Sequence, residues 1–252
     1  MKIKILDKLL AIPSVRQLLL VNFFHRLVGI TRLYYFVRVK KQLKTMDSKS
    51  AFGVTLEYNL KGIQSFDIHR MDLLIKPISV LEFLDKDSRI LVIGPRNEGD
   101  ILKLIGHGFK RQYIRGLDLI SYSPMIDIGD MHKTSYQDNS FDIILIGWTL
   151  AYSKEPKIVA QEMLRIADNG CVIGIGHEFT HMTYDDEVKL CGYAIVEKDW
   201  KRINSIKEIL KLFGDNIDEI YFHHDAPSKR SHTAEGLIGN PSSICLIFTV
   251  KK

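Results

Sequence analysis

Cysteine is scarce in this chain. Cys171, Cys191 and Cys245 are the only three among 252 residues, and no two lie at the spacing of a metal finger or a redox pair. That excludes a disulfide framework and a cysteine-built zinc site, and it fits a reducing compartment. Long apolar runs are lacking too. Arg16, Asn22, His25 and Arg26 interrupt the apolar residues near the start, so neither a cleaved leader nor a membrane-spanning helix is expected. No repeat or low-complexity tract occurs. Acid is missing from one end: residues 1–46 hold Lys2, Lys4, Lys8, Arg16, Arg26, Arg32, Arg38, Lys40, Lys41 and Lys44 against Asp7 alone. The formal net charge of +5 therefore joins a basic end to a slightly acidic body. Such a distribution points to an anionic contact: phosphate, carboxylate, nucleic acid or a lipid surface.

What is present is the composition of an ordinary globular protein, long enough for one α/β domain with an added segment. Residues 1–45 read as helical, with Leu18, Leu19, Val21, Phe23, Phe24, Leu27 and Val28 forming a broad apolar side. Two uses fit that segment. It packs on the main domain and turns its cations toward an anionic substrate, or it lies on a membrane surface with its aromatics in the interface. Residues 46–62 read as a connection. Residues 69–84 have helical spacing, and Pro77 inside them should kink or split the helix. A helix is expected from Pro156 to the Asn169-Gly170 stop, and another over 203–213. Residues 217–222 and 244–250 read as strands, separated by a polar loop over 225–243.

The most informative stretch is 89–176. The apolar strand Ile90-Leu91-Val92-Ile93 breaks into the turn Gly94-Pro95-Arg96-Asn97-Glu98-Gly99-Asp100, followed by a short helix that stops at Gly106-His107-Gly108. A second strand ends in Gly116-Leu117-Asp118, and Gly129-Asp130-Met131-His132 follows. Then come Ser140-Phe141-Asp142 with a strand over 143–146 and a further strand over 171–176. This is an order suited to gripping a nucleoside: a glycine turn at a helix start, a strand-end carboxylate for ribose, and an acid with an apolar neighbour for a base. It resembles the class I S-adenosylmethionine-dependent methyltransferases, in particular their small-molecule, type 11-like branch.

The resemblance implies a cofactor site at Gly94, Pro95, Arg96, Asn97, Glu98, Asp118, Leu119, Asp130, Met131, His132, Gly147 and Trp148. Asp118 takes the ribose hydroxyls, Asp130 and Met131 the adenine, and Gly147 with Trp148 stand beside the sulfonium. The glycine motif departs from the family pattern, with Val92, Arg96 and Glu98 where an acid and two glycines are usual. Arg96 and Glu98 offer opposite charges to the carboxylate and ammonium of the cofactor's methionine end; the alternative is that they pair with each other on an exposed loop. Leu119 to Ile128 are too few for the usual crossover helix. The third strand and its helix are therefore expected to be shortened or missing, leaving a sheet edge for a partner subunit or the N-terminal segment to cover.

Substrate residues belong beyond the carboxyl ends of the strands. His177, Glu178 and Tyr152 are the catalytic candidates, with His177 or Glu178 as the base; His181, His223, His224 and Asp225 are also near strand ends. Tyr152 stands where the family often has a histidine. His177-Glu178-Phe179-Thr180-His181 also spells H-E-x-x-H, which on a helix makes half of a zinc hydrolase site. Here it follows a glycine-containing strand, so no metal is assigned.

The expected architecture is an α/β, Rossmann-like class I methyltransferase sheet with helices on both faces. Residues 1–88 form a helical cap and 89–252 the methyltransferase domain. The expected activity is O-methylation of a polar or anionic small molecule with S-adenosyl-L-methionine as cofactor. The chain is similar to methyltransferases of bacterial capsule and surface-polysaccharide gene clusters, which suggests a phosphoryl-containing precursor as acceptor. The alternatives are a non-catalytic S-adenosylmethionine-binding protein, the zinc hydrolase, and a nucleic-acid methyltransferase. The last lacks a recognised RNA-binding module, and no nucleic-acid partner is expected. A cytoplasmic location, peripheral contact with the inner membrane through residues 1–46, and a homodimer complete the expectations.

Overall fold

The computed structural model describes residues 10–53, 55–66, 70–179, 183–191, 194, 198, 200, 202–225 and 242–252. His69, His181 and most of the polar loop over 225–243 lie outside the described residues. The chain opens with α1 (Pro13–Gln17), a 3-10 turn at Leu18–Leu20 and α2 (Asn22–Tyr34), which runs into a π turn at Tyr35–Val39. β1 (Lys44–Thr45), α3 (Thr55–Gly62) and α4 (Asp72–Ser79) lead to the central strand β2 (Ile90–Ile93) and to α5 (Gly99–Gly106). Then follow β3 (Ile114–Asp118), β4 (Ile120–Ser121), β5 (Ile126–Ile128) and β6 (Phe141–Gly147). The chain ends with α6 (Pro156–Ile166), β7 (Ala167–Phe179), α7 (Tyr184–Cys191), α8 (Ile206–Phe213), β8 (Ile217–His224) and β9 (Ser242–Val250).

Seven of these strands form one sheet in the order β5-β3-β2-β6-β7-β9-β8. The first five are parallel, and β9 runs antiparallel between β7 and β8. β2 is buried at every position, as a parallel strand covered on both faces should be. Its alternation divides the core in two. Ile90 and Val92 face Leu74, Ile75 and Ile78 of α4 and Ile101 and Leu104 of α5. Leu91 and Ile93 face Val159 and Met163 of α6 and Ile209 and Phe213 of α8.

The third strand is shortened as expected, to 3 residues at the sheet edge. No helix crosses over to it; Leu119 to Met125 make the return through β4 and a turn at Ser123–Met125, where the Ile126 N–H donates to Ser123 O at 3.1 Å. That chain is held by β4, which pairs antiparallel with β1 (Lys44↔Ser121, Thr45↔Ile120). The helix expected over 69–84 closes at Ser79, two residues past Pro77. The connection expected over 46–62 contains a helix, α3. α6 ends earlier than the Asn169-Gly170 stop, because Ala167 already pairs with Phe141.

The N-terminal helices are fastened to the sheet. His25, Gly29 and Leu33 of α2, one turn apart, are buried. Arg32 follows them inward and makes a two-pronged ion pair with Glu98, Nε to Oε2 at 2.5 Å and Nη2 to Oε1 at 2.8 Å. Glu98 has no exposed surface. Removing one partner of such a pair leaves an uncompensated buried charge. Arg32→Ala should therefore cost about 3–5 kcal/mol, read as a lower urea midpoint with an unchanged slope. A variant that unfolds at the wild-type midpoint would show that the pair holds nothing.

Candidate active site

The sheet reverses its winding between β2 and β6, and a crevice opens there at the strands' carboxyl ends. The backbone at this point is bent into rare conformations. Gly94 has φ +70° and Arg96 +55° after β2, and Trp148 has φ +60° after β6. A non-glycine residue in the left-handed region costs about 1–3 kcal/mol and persists only where its surroundings hold it, commonly at functional sites. At Gly94 a side chain is also excluded by space: a Cβ would sit 2.0 Å from Thr149 Oγ1. The Gly94 N–H donates to Leu117 O at 2.8 Å and the Trp148 N–H to Gly176 O at 2.7 Å, so each loop is tied to the strand beside it, β3 and β7 respectively.

Two adjoining cavities occupy the crevice. The smaller, about 30 Å³, is lined by Asp118, Leu119, Asp130, Met131 and His132 together with Ser48, Ala51 and Asn59. Asp118 is 4% exposed. It accepts the Arg96 N–H at 2.7 Å, the Ile120 N–H at 3.2 Å and Asn59 Nδ2 at 3.3 Å. Burial nevertheless dominates and pushes its carboxyl up to about 6. Asp130 has the opposite balance. Burial alone would raise it, yet hydrogen bonds from Ser48 Oγ and from the backbone and ring of His132 hold it below the usual carboxylate range. His132 completes a relay, Nδ1 to Asp130 at 2.5 Å and Nε2 to Ser153 Oγ at 2.7 Å. That relay joins the loop after β5 to the loop after β6.

The larger cavity, about 360 Å³, is lined by Gly94, Pro95, Arg96, Asn97, Gly147, Trp148, Tyr152 and Glu178, and also by Tyr58, Arg70 and Asp100. Tyr58 and Tyr152 stack with centroids 6.1 Å apart. The Arg96 guanidinium lies 5.0 Å over the Tyr58 ring and that of Arg70 5.7 Å over Trp148. Arg70 Nη1 donates to Glu178 Oε2 at 2.7 Å. Burial, with Tyr58 beside it, raises the Tyr152 phenol above its ordinary range, which makes it a proton donor rather than a base. The two cavities share Thr55, Asn59, Gly94, Thr149 and Tyr152 as a common wall.

Two candidate residues are turned elsewhere. Glu98 neither lines a cavity nor pairs with Arg96; it is buried against Arg32, and Ser123 Oγ donates to it. The acid facing the cavity near Arg96 is Asp100, two residues on. Protein surrounds it on its other sides, and desolvation pushes its carboxyl up to about 7. His177 and Glu178 are neighbours on a strand, so they point to opposite faces. Glu178 faces the crevice, whereas His177 is 3% exposed and burial lowers it to about 4. That strand geometry is also not the one-faced helix that H-E-x-x-H needs. Asn97 lines the cavity, but its amide acts as a clamp: Nδ2 donates to Ile63 O and Ser65 O at 3.1 and 2.9 Å, and Oδ1 accepts the Gly99 N–H at 2.8 Å.

Sequence reasoning missed the strap over residues 44–53 and the helix behind it. Met46 N–H donates to Leu119 O at 2.8 Å, Phe52 N–H to Tyr152 O at 3.0 Å, and Lys154 N–H to Ser50 O at 2.8 Å. These bonds draw Ser48, Ala51, Thr55, Tyr58 and Asn59 across the crevice. The only signal was their polarity, which is also that of an ordinary loop.

The crevice's acids make the pH dependence specific. Ribose hydroxyls would bind the ionised form of Asp118 and lower its pKa in the complex. Affinity for S-adenosylmethionine should be flat above about pH 7 and fall as pH drops through about 6, by up to about tenfold per unit. The sign reverses for the free chain. Its folded state holds this proton more tightly than the unfolded state does, so the group adds stability as pH falls from about 6 toward the ordinary carboxylate range. Titration calorimetry on Asp118→Asn should show the acid limb gone, and Asp118→Ala should lose about 1–3 kcal/mol of binding. An unaltered pH profile in the asparagine variant would remove Asp118 from this role.

Comparison with known proteins agrees with this geometry. Residues 111–175 match the family profile described as a methyltransferase domain. No curated protein matches the chain in sequence. Among solved structures, the protein described as a methyltransferase in the complex with the Haloferax volcanii Trm112 activator is similar, with TM-score 0.53, 11% identity and coverage of 78% of this chain and 95% of that one. The cyclase SpnF is similar at TM-score 0.51 and 14% identity, over 90% of this chain and 96% of its own. At these identities the likeness establishes the fold and nothing finer. The chain has the class I methyltransferase fold, a Rossmann-like sheet with helices on both faces.

Proposed function

We propose that the chain transfers a methyl group from S-adenosylmethionine to an oxygen of a polar or anionic small molecule. The observation that carries this reading is the pair of adjoining cavities. The smaller is lined by carboxylates and an apolar wall of the kind the polar edges of an adenosine would meet, and the larger has two acids and two guanidiniums beside stacked aromatic rings. The residues fit the cofactor in kind: acceptors for a ribose at Asp118, an acid for an ammonium at Asp100, and a cation for a carboxylate at Arg96. The cofactor, when bound, supplies an electrophilic methyl on a sulfonium. The chain's own part is placement in line and removal of the acceptor's proton.

Glu178 is the base in this reading, since it faces the crevice on the strand next to Trp148 while Tyr152 stays protonated. Arg70, paired with Glu178, holds that carboxylate and presents its remaining N–H groups to an anionic acceptor. Glu178 would take the proton that the acceptor's hydroxyl gives up on receiving the methyl, for which the bound cofactor would serve as donor and depart uncharged at sulfur. A phosphoryl-containing glycan precursor has the charge that Arg70 and Arg96 would select.

The test is a transfer assay with methyl-labelled cofactor against a panel of phosphorylated, nucleotide-linked and neutral hydroxyl acceptors. Label should appear in an anionic acceptor. Glu178→Gln should lower kcat by about 10²–10⁴ with cofactor affinity unchanged, and Arg70→Met should raise the acceptor's KM. Tight cofactor binding without transfer to any acceptor would favour a non-catalytic binding protein instead.

A further inference from the structure

Helix α2 carries two apolar stripes, and the fold uses one. The inner stripe of His25, Gly29 and Leu33 is buried. The outer stripe is Phe23, Leu27, Ile30 and Tyr34, which are 68%, 52%, 44% and 64% exposed. Their spacing of four, three and four residues lines them up along one side of the helix, away from the sheet. A groove of about 380 Å³ runs beside them, walled by Leu18, Phe24, Leu27, Val28, Leu102 and Met125. Scattered apolar side chains on a surface need no explanation, but a contiguous line with an adjoining apolar groove does.

The charges around the stripe narrow its partner. From Leu10 to Met46 the chain contains no acidic residue. Arg38, Lys40 and Lys41 are exposed on and just after the turn that follows α2. No helix among the described residues is long and apolar enough to cross a membrane, so any lipid contact is with the surface. A second copy of the chain fits poorly. Pairing the stripe with itself would bring these cations onto their own counterparts with no acid in the segment to neutralise them. A surface of anionic headgroups over acyl chains supplies both complements at once, as it does for other helices with aromatics on one side and Lys or Arg beside them.

We propose that the outer face of α2, with the basic turn after it, docks this protein on an anionic lipid surface. Phe23, Leu27 and Tyr34 enter the interface, and Arg38, Lys40 and Lys41 meet the headgroups. This inference is independent of the methyl-transfer reading.

Vesicle co-sedimentation of the full chain tests it. Vesicles with roughly a third anionic phospholipid should retain the protein, neutral phosphatidylcholine vesicles should not, and high salt should release most of it. A Phe23→Ser, Leu27→Ser, Tyr34→Ser variant should lose at least tenfold in partition with Tm and cofactor affinity unchanged. Lys40→Glu with Lys41→Glu should lose at least about 25-fold, since each basic residue near such a surface contributes about 1 kcal/mol, or about fivefold. This second variant stands in if the first lowers Tm. Failure of the wild-type chain to bind anionic vesicles overturns the proposal, as does equal binding to neutral ones or indifference to both variants. So does a concentration-dependent dimer, seen by analytical ultracentrifugation and abolished by the serine variant, in a chain that ignores vesicles.

Discussion

A carboxylate without exposed surface must be met by cations and donors, and Glu98 is met by two distant parts of the chain, α2 and the bend after β4. Arg32 reaches it from α2 with two nitrogens, Ser123 donates to it from the bend after β4, and its own N–H is held by Tyr122 Oη at 3.0 Å. Glu98 sits at the start of α5, directly after the loop that forms the crevice floor. The pair therefore couples the N-terminal helices, the glycine loop and the stretch that replaces a crossover helix. Desolvation makes each of these contacts obligatory, because a buried acid left with fewer partners is costly. The position and tilt of α2, and with them the direction of its outer stripe, follow from this one anchor.

The crevice depends on strain at two adjacent strand ends. Left-handed residues at Gly94 and Arg96 turn the chain so that the Arg96 N–H meets Asp118 rather than continuing a ladder. The same conformation at Trp148 lays the indole against Gly176, where a Cβ would stand 2.7 Å from the ring. Such geometry is tolerated because the strands it terminates are packed in the core, β2 at every position and β6 at all but two. Shortening the third strand removes the wall that a crossover helix would have built. The strap over 44–53 takes its place, paired at one end with β4 and at the other with the loop after β6. Compared with a helix, a strap held by a few backbone bonds opens at lower cost.

Electrostatics in the crevice are set by local burial more than by net charge. Asp118 and Asp100 are raised while Asp130 is lowered, although all three line the same opening. The difference is the number of donors aimed at each against the water each has lost. Asp130 has Ser48 and His132 on it, whereas Asp100 has cations nearby but no donor strong enough to offset its desolvation. The basic excess of the chain lies on α2 and its flanks, apart from these acids.

Much of the framework was readable from residue order. Four-residue apolar runs bounded by glycine mark β2, and Gly94, Asp118, Asp130 and Met131 stand in the order that places them around one crevice. These are properties of short segments, and local periodicity with turn chemistry is enough to specify them. The partners of Glu98, the opposite faces taken by His177 and Glu178, and the use of Ser48, Tyr58, Asn59 and Asp100 were not readable. Each depends on which distant segment arrives alongside, and contacts such as Arg32 to Glu98 or Asn59 to Asp118 span more than fifty residues. The alternation that separates His177 from Glu178 is local, but which of its two faces meets the crevice is decided by the packing of α6 and α8 beneath the sheet. The sequence by itself determined the strands, the turns and the residue types at their ends. The tertiary structure alone decided which acids lost their water, which cations reached them, and which apolar stripe of α2 stayed outside, because desolvation and pairing exist only once the chain has closed.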